Sequence, residues 1–261
     1  MGFFEELFGA KQDEMPRGVI VHNVKTPYKA QIMAHFEASF PGRETQVWDD
    51  PDTHMELAVM APTEAEPYYV AYTMGMSAEP MTLDNMPHGK KFEWLRTAEL
   101  LMFLPGDWPV EQAGGPEHLN EPDRKAAAWP LRLLRMLACM PRRQKTWLGA
   151  GHSIPNGEPA HPYAENTPFA GAVLFLPAQK NGPKEVQPVN IGGGRRVVLY
   201  TVVPVYPAEM DYKLEFGAEA LEHKLRELPA GSGFFVDNSR PCAVEAEPGQ
   251  EARQAAQEEA E

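Results

Sequence analysis

Tyr68-Tyr69-Val70-Ala71-Tyr72-Thr73-Met74, running on into Gly75-Met76-Ser77-Ala78-Glu79-Pro80-Met81, is the stretch on which the fold turns. Its first half is dense in aromatic and β-branched residues, the composition of a strand packed in a sheet. Gly75 and Pro80 then break the pattern as a turn. Just upstream, residues 54–60 (HMELAVM) alternate loosely and read as a partner strand, with Pro62 to Pro67 as the connecting turn. The methionines Met74, Met76 and Met81 read as core filler where strand meets turn. An adaptable contact surface is the other reading of them.

Working outward, residues 28–40 repeat Tyr28, Ile32, Phe36 and Phe40 every four positions, which predicts a helix stopped by Pro41-Gly42. Residues 92–104 (FEWLRTAELLMFL) read as a second helix ended by Pro105-Gly106, and 112–124 as a polar loop. Residues 125–139 read as a third helix with Leu131, Leu134 and Leu137 inward and Pro130 in its first turn, where a missing N–H costs little. A long loop over 148–168 follows. Strands are expected at 169–176 (FAGAVLFL) and 197–206 (VVLYTVVPVY), a helix at 217–228 and a short strand at 233–236. Gly192-Gly193-Gly194 reads as a hairpin loop entering the strand at 197, with an anion nest as the alternative. Helices and strands do not alternate strictly, so the class is α+β.

Three segments are expected: residues 1–25 as an N-terminal helix and linker, 26–242 as one domain, and 243–261 as a disordered acidic tail. Phe3, Phe4, Leu7 and Phe8 put an apolar stripe on the first. After Val244 come six Glu and one Arg, a net −5, with no large apolar residue. The whole chain carries −13. That charge repels phosphate backbones and anionic lipid, so neither nucleic acid nor membrane is expected as a partner, whereas a basic protein is. No apolar run approaches the length of a membrane span, and Glu5 and Glu6 interrupt the only apolar stretch near the start, against a signal peptide. Cys139 and Cys242 form no CxxC pair, which fits a reducing, cytoplasmic compartment, with Cys139 buried in an apolar helix.

The most unusual segment is Gly149-Ala150-Gly151-His152-Ser153-Ile154-Pro155-Asn156-Gly157. Glycines and Asn-Gly allow tight turns and close backbone approach around one imidazole. Either this is a recognition loop facing a partner, or a structural turn in which His152 satisfies loop carbonyls. No GK[ST] follows, so it is not a phosphate loop. His54, His152 and His161 match no metal-ligand spacing, and His54 with Glu56 lacks the cysteine pair of a deaminase, so no metal is expected. Ser153 and Ser77 lack a GxSxG context, so no catalytic residue is assigned and no cofactor is expected.

Several of these pieces occur together and in order in the suppressor-of-fused domain. Tyr72 to Met81 resembles that family's strand–turn signature, preceded by His54-Met55-Glu56-Leu57 and Ala61-Pro62-Thr63. Ala98 to Trp108, the Trp129 helix, Gly151 to Gly157, and Val202 to Met210 followed by a Gly217–Arg226 helix are similar in turn. The resemblance covers roughly residues 26–236 and implies a mixed, mainly antiparallel sheet flanked by helices. It also implies a non-enzymatic module that masks a protein partner by strand addition in a groove. Bacterial members imply a toxin-neutralising role in polymorphic toxin systems, and a basic toxin or regulator as partner. The residues it points to for partner binding are Gly151, His152, Ser153, Asn156, Tyr206 and Glu209. The competing expectations are a regulatory adaptor without a toxin, and a hydrolase-type enzyme with His152 against a carboxylate or metal.

Overall fold

The computed structural model describes residues 26–50, 55–82, 90–113, 121, 124–178 and 181–244. The N-terminal stripe, His54 and the tail beyond Val244 lie outside them. Within them the chain builds β1 (Thr45–Asp50), β2 (Met55–Met60), β3 (Tyr68–Met74) and β4 (Ala98–Pro105), followed by β5 (Ser153–Pro155), β6 (Gly171–Phe175), β7 (Val189–Asn190) and β8 (Arg196–Val205). The helices are α1 (Lys29–Ser39), α2 (Val110–Ala113), α3 (Lys125–Gln144), α4 (Pro207–Phe216) and α5 (Ala218–Glu227). The sheet order is β1-β2-β3-β4-β8-β6-β5, with β7 paired to the start of β8. Among the described strands only β4 and β8 run parallel; the other pairs are antiparallel. This is the α+β class, a mixed and mainly antiparallel sheet with helices on both faces.

Period-two alternation sorts each strand between two cores. On β4, Leu100, Met102 and Leu104 join Trp129, Leu133 and Leu137 of α3 on one face. Leu101 and Phe103 turn to the other, against Phe36 and Phe40 of α1. Farther along that second face, Val203 and Val205 of β8 meet Met210 of α4 and Leu221 and Leu225 of α5. Each fully buried side chain of this size contributes roughly 1.5–3 kcal/mol of transfer free energy. Cys139 and Met74, Met76 and Met81 are all buried, the core reading of both.

Three expectations of residue ranges or positions need correction, two elements were not foreseen, and the loop expected at 148–168 contains the short strand β5. Residues 98–105 are a strand, not the end of a helix: a strand buried on both faces shows an unbroken apolar run that periodicity cannot tell from a buried helix. β1, an edge strand reading TQVWDD, carries too few apolar residues to stand out. α4 is a separate helix, begun by Pro207 at its first turn and ended at Gly217, whose φ of 90° starts α5. Residues 233–236 form a turn and a single parallel bridge from Phe235 to Phe103. Pro130 is inside α3, past its first turn, and so deprives the Ala126 carbonyl of its helical donor. Asn166 supplies a replacement: its Nδ2 donates to Ala126 O at 3.1 Å.

The β2–β3 turn is held by a buried cation. Arg43, its side chain fully buried, donates to the carbonyls of Ala61, Glu66 and Tyr68 and to the Glu66 carboxylate. The glycines at 192–194 all adopt positive φ and close the hairpin from β7 into β8, as expected. No helix among the described residues is long and apolar enough to cross a membrane.

Candidate partner-binding edge

β5 is three residues long and pairs with β6 on one side only. His152 O accepts from Leu174 N at 3.0 Å, and Asn156 N donates to Ala170 O at 2.8 Å. Antiparallel ladders alternate, so Ile154 also faces β6, while the N–H and C=O of Ser153 and the C=O of Pro155 face away. Pro155 lacks an N–H, which is tolerated only where none is needed for the ladder. No described strand covers that outer edge. It offers one donor and two acceptors to an incoming chain.

The side chains beside it come from distant segments. The His152 ring meets the Trp147 ring edge-on at 4.2 Å. Burial pushes the His152 imidazole below the usual histidine range, and the Lys213 ammonium adds to the shift. The ring is therefore neutral near pH 7, with one donor and one acceptor nitrogen. Lys213 Nζ donates to Ser153 Oγ at 3.0 Å, tying α4 to β5. Burial lowers the Lys213 ammonium as well. On α4 the next residues outward are Leu214 and Phe216, 68% and 55% exposed, unusual for large apolar side chains. Gly151 has φ of 82°, the left-handed region that favours glycine, at the turn leading into β5.

The six residues picked from sequence divide. Gly151, His152 and Ser153 lie together on the edge. Asn156 is 2% exposed, with its Nδ2 donating to His161 O at 2.7 Å, so it shapes the loop from inside. Glu209 is fully buried. It accepts from both Arg240 Nη atoms at 2.6 Å, from Tyr206 N at 2.9 Å and from Ala243 N at 2.7 Å. Half-buried Tyr206 packs on Phe169 and donates its hydroxyl to Arg240 O at 2.5 Å. These three are frame rather than face. Beside the candidate edge the structure places Trp147 and Lys213, with Leu214 and Phe216 exposed on the same helix as Lys213, none of them picked from the sequence. Trp147 stood two residues before the glycine loop and was legible there; the others depended on recognising α4.

Among the described residues no cluster of three or more His, Cys, Asp or Glu side chains is placed to hold a metal ion. The family profile described as "Suppressor of fused protein (SUFU)" matches residues 51–241, well over half of the sequence. The chain belongs to the suppressor of fused family. Solved suppressor of fused structures share its fold. A SUFU homologue from Neisseria gonorrhoeae superimposes with TM-score 0.57 at 14% identity, over 85% of this chain and 100% of that one. A chain of a Sufu–Fu complex gives 0.55 at 13% identity, over 83% and 91%. Drosophila Suppressor of Fused gives 0.55 at 13% identity over 88% of this chain, which spans 54% of the fly protein. No curated protein is similar enough in sequence to match. At such identities the likeness of these suppressor of fused structures concerns the fold, not the residues on the β5 edge.

Proposed function

We propose that this suppressor of fused domain is a cytoplasmic protein-binding module that masks a segment of a basic protein partner by strand addition on β5. The observation that carries the reading is the outer edge of β5, with Ser153 N–H and C=O unpaired among the described strands and flanked by Trp147, His152 and the exposed end of α4. Main-chain bonds supply affinity in that mode, and neighbouring side chains supply specificity. Asp211, Glu215 and Glu219 are exposed on α4 and α5, and the chain carries −13 overall, which favours encounter with a basic partner. That one chain of similar fold occurs in a Sufu–Fu complex supports protein binding as the general activity. A toxin held inactive is the partner we favour. A regulatory protein without a toxin link would use the same edge.

A hydrolase reading would call on Ser153 and His152. The charged neighbour of both is a cation, Lys213, where a Ser–His pair needs a carboxylate to orient the imidazole. The two readings separate experimentally. Capture of a basic polypeptide from native lysate should weaken about tenfold or more in Ser153→Pro, which removes the one outward donor, and in Trp147→Ala, with circular dichroism unchanged. Undiminished capture by both variants would place the binding surface elsewhere. Covalent labelling of Ser153 by an activated phosphonate would favour the hydrolase instead.

A further inference from the structure

We infer that the groove at the opposite end of the sheet is a second recognition site, shaped for an acidic peptide segment carrying an aromatic or leucine side chain. β5 lies alongside the last residues of β8 through β6, whereas this groove opens at the first. Ten residues of strand separate them by roughly 30 Å. Its walls are the Lys90–Arg96 3-10 helix, the turn after β3 and the β7–β8 hairpin, and it encloses about 780 Å³. That is within the roughly 300–1,000 Å³ typical of ligand clefts. Thr97 Oγ1 donates to Arg196 O at 2.9 Å and joins two of the walls.

The lining is unlike the rest of this protein. Three arginines, Arg96, Arg195 and Arg196, face one carboxylate, Glu93, which is already paired with Arg96 at 3.4 Å. Three cations less one anion leaves +2, on a chain whose total is −13. Arg96 is held in place by its Nε donating to Met81 O at 3.2 Å. Arg195 and Arg196 are exposed and make no ion pair among the described residues. Beside them Trp94 is 54% exposed over a floor that includes Ile191 and Val198. Planar guanidinium groups match carboxylates bidentately, and an exposed indole beside them provides a face for an apolar side chain.

Two of the hairpin's amides are already engaged. Gly192 N–H donates to Asn190 Oδ1 and Arg195 N–H to Gly192 O, so the loop closes on itself and the arginine side chains carry the charge recognition. An acidic ligand is repelled by most of this surface, which confines it to the groove. Side-chain carboxylates on a short apolar-centred segment fit both halves of the lining.

The test uses the full chain and a labelled synthetic peptide, Glu-Glu-Leu-Phe-Glu-Glu, followed by fluorescence anisotropy, with the same peptide bearing lysines for glutamates as control. The acidic peptide should bind, quench or shift Trp94 emission, and lose about tenfold or more in affinity in Arg195→Glu/Arg196→Glu, both exposed positions where folding is unaffected. Its affinity should fall with added salt and be unchanged in Ser153→Pro, which separates this groove from the β5 edge. Equal binding of the lysine peptide, indifference to the double charge reversal, or displacement by inorganic pyrophosphate at comparable concentration would each overturn the inference.

Discussion

Replacing Arg240 by methionine is expected to lower folding stability by about 3–5 kcal/mol, the usual cost of stranding one partner of a buried ion pair. Both side chains of the Arg240–Glu209 pair are fully buried, and the guanidinium also donates to the carbonyls of Pro204 and Pro241 at 3.0 Å. It also lies against the rings of Phe169 and Tyr206, 4.7 and 5.1 Å from their centroids. Without it the Glu209 carboxylate loses its paired cation and keeps the neutral Tyr206 and Ala243 N–H donors. The double replacement Glu209→Gln/Arg240→Met should recover much of the loss, because a neutral acceptor needs no counter-ion. Urea midpoints at neutral pH measure both effects. A loss below about 1 kcal/mol for the single variant would mean the pair is solvated in solution. The same cluster joins the end of β8, the start of α4 and the segment at 237–243, and α4 carries Lys213. Arg240→Met should therefore also loosen the hold of Lys213 on Ser153.

The second large effect is expected at Glu99, a fully buried carboxylate in the middle of the sheet. It accepts from Thr73 Oγ1 at 2.6 Å, Ser77 Oγ at 2.6 Å, Gly75 N at 2.9 Å and Ser77 N at 3.0 Å. Thr73 Oγ1 in turn accepts from Leu100 N at 2.9 Å. This carboxylate is what fixes the turn after β3. Glu99→Leu leaves two buried backbone donors without an acceptor, at about 1–3 kcal/mol each, so a total loss of about 3 kcal/mol or more is expected. Glu99→Gln keeps one acceptor oxygen and should retain over half of that.

The pH dependence has a definite sign. Burial raises the Glu99 carboxyl above its usual range, outweighing the four donors that favour the ionised form. A group bound more tightly to its proton in the folded state stabilises fully below the unfolded value, near 4.5, and loses that contribution as pH rises through the folded value. Wild type should thus lead Glu99→Gln by more at pH 4.5 than at pH 8. The reverse trend in paired urea midpoints would show that the donors win and the carboxylate is ionised throughout.

Much of the architecture was legible because it is local. The four-residue spacing of Tyr28, Ile32, Phe36 and Phe40 reports a helix whatever it packs against, and α1 follows. The aromatic and β-branched run at 68–74 reports β3 in the same way. β4 was misread because both its faces are covered, so Leu100 to Leu104 show no alternation. α4 was missed although Pro207 and Glu209 stand at helix-start spacing, because the apolar run of β8 leads straight into them and α4 has almost no amphipathic stripe. At the candidate edge, the glycines around His152 were legible as unusual backbone. That Asn156 turns inward was not, since an Asn in a loop has the same neighbours in sequence whether it faces solvent or a carbonyl.

By itself the sequence determined the class, the order of most elements and the acidic surface, carried by composition and short-range spacing, while the family followed from the match of its residues 51–241 to the suppressor of fused profile. Which polar side chains are free and which are consumed was decided only by the tertiary structure. Glu209 looked available until Arg240, 31 positions away, took both its oxygens. Ser153 acquired Lys213 from 60 positions away. Arg96 came to share a groove with Arg195 and Arg196 because β4 and β8 lie side by side in parallel. Apolar periodicity is written along the chain because every turn of helix or step of strand must repeat it. The partner of a polar group is set by whichever segment the folded core brings against it, and nothing in the local sequence encodes that distance.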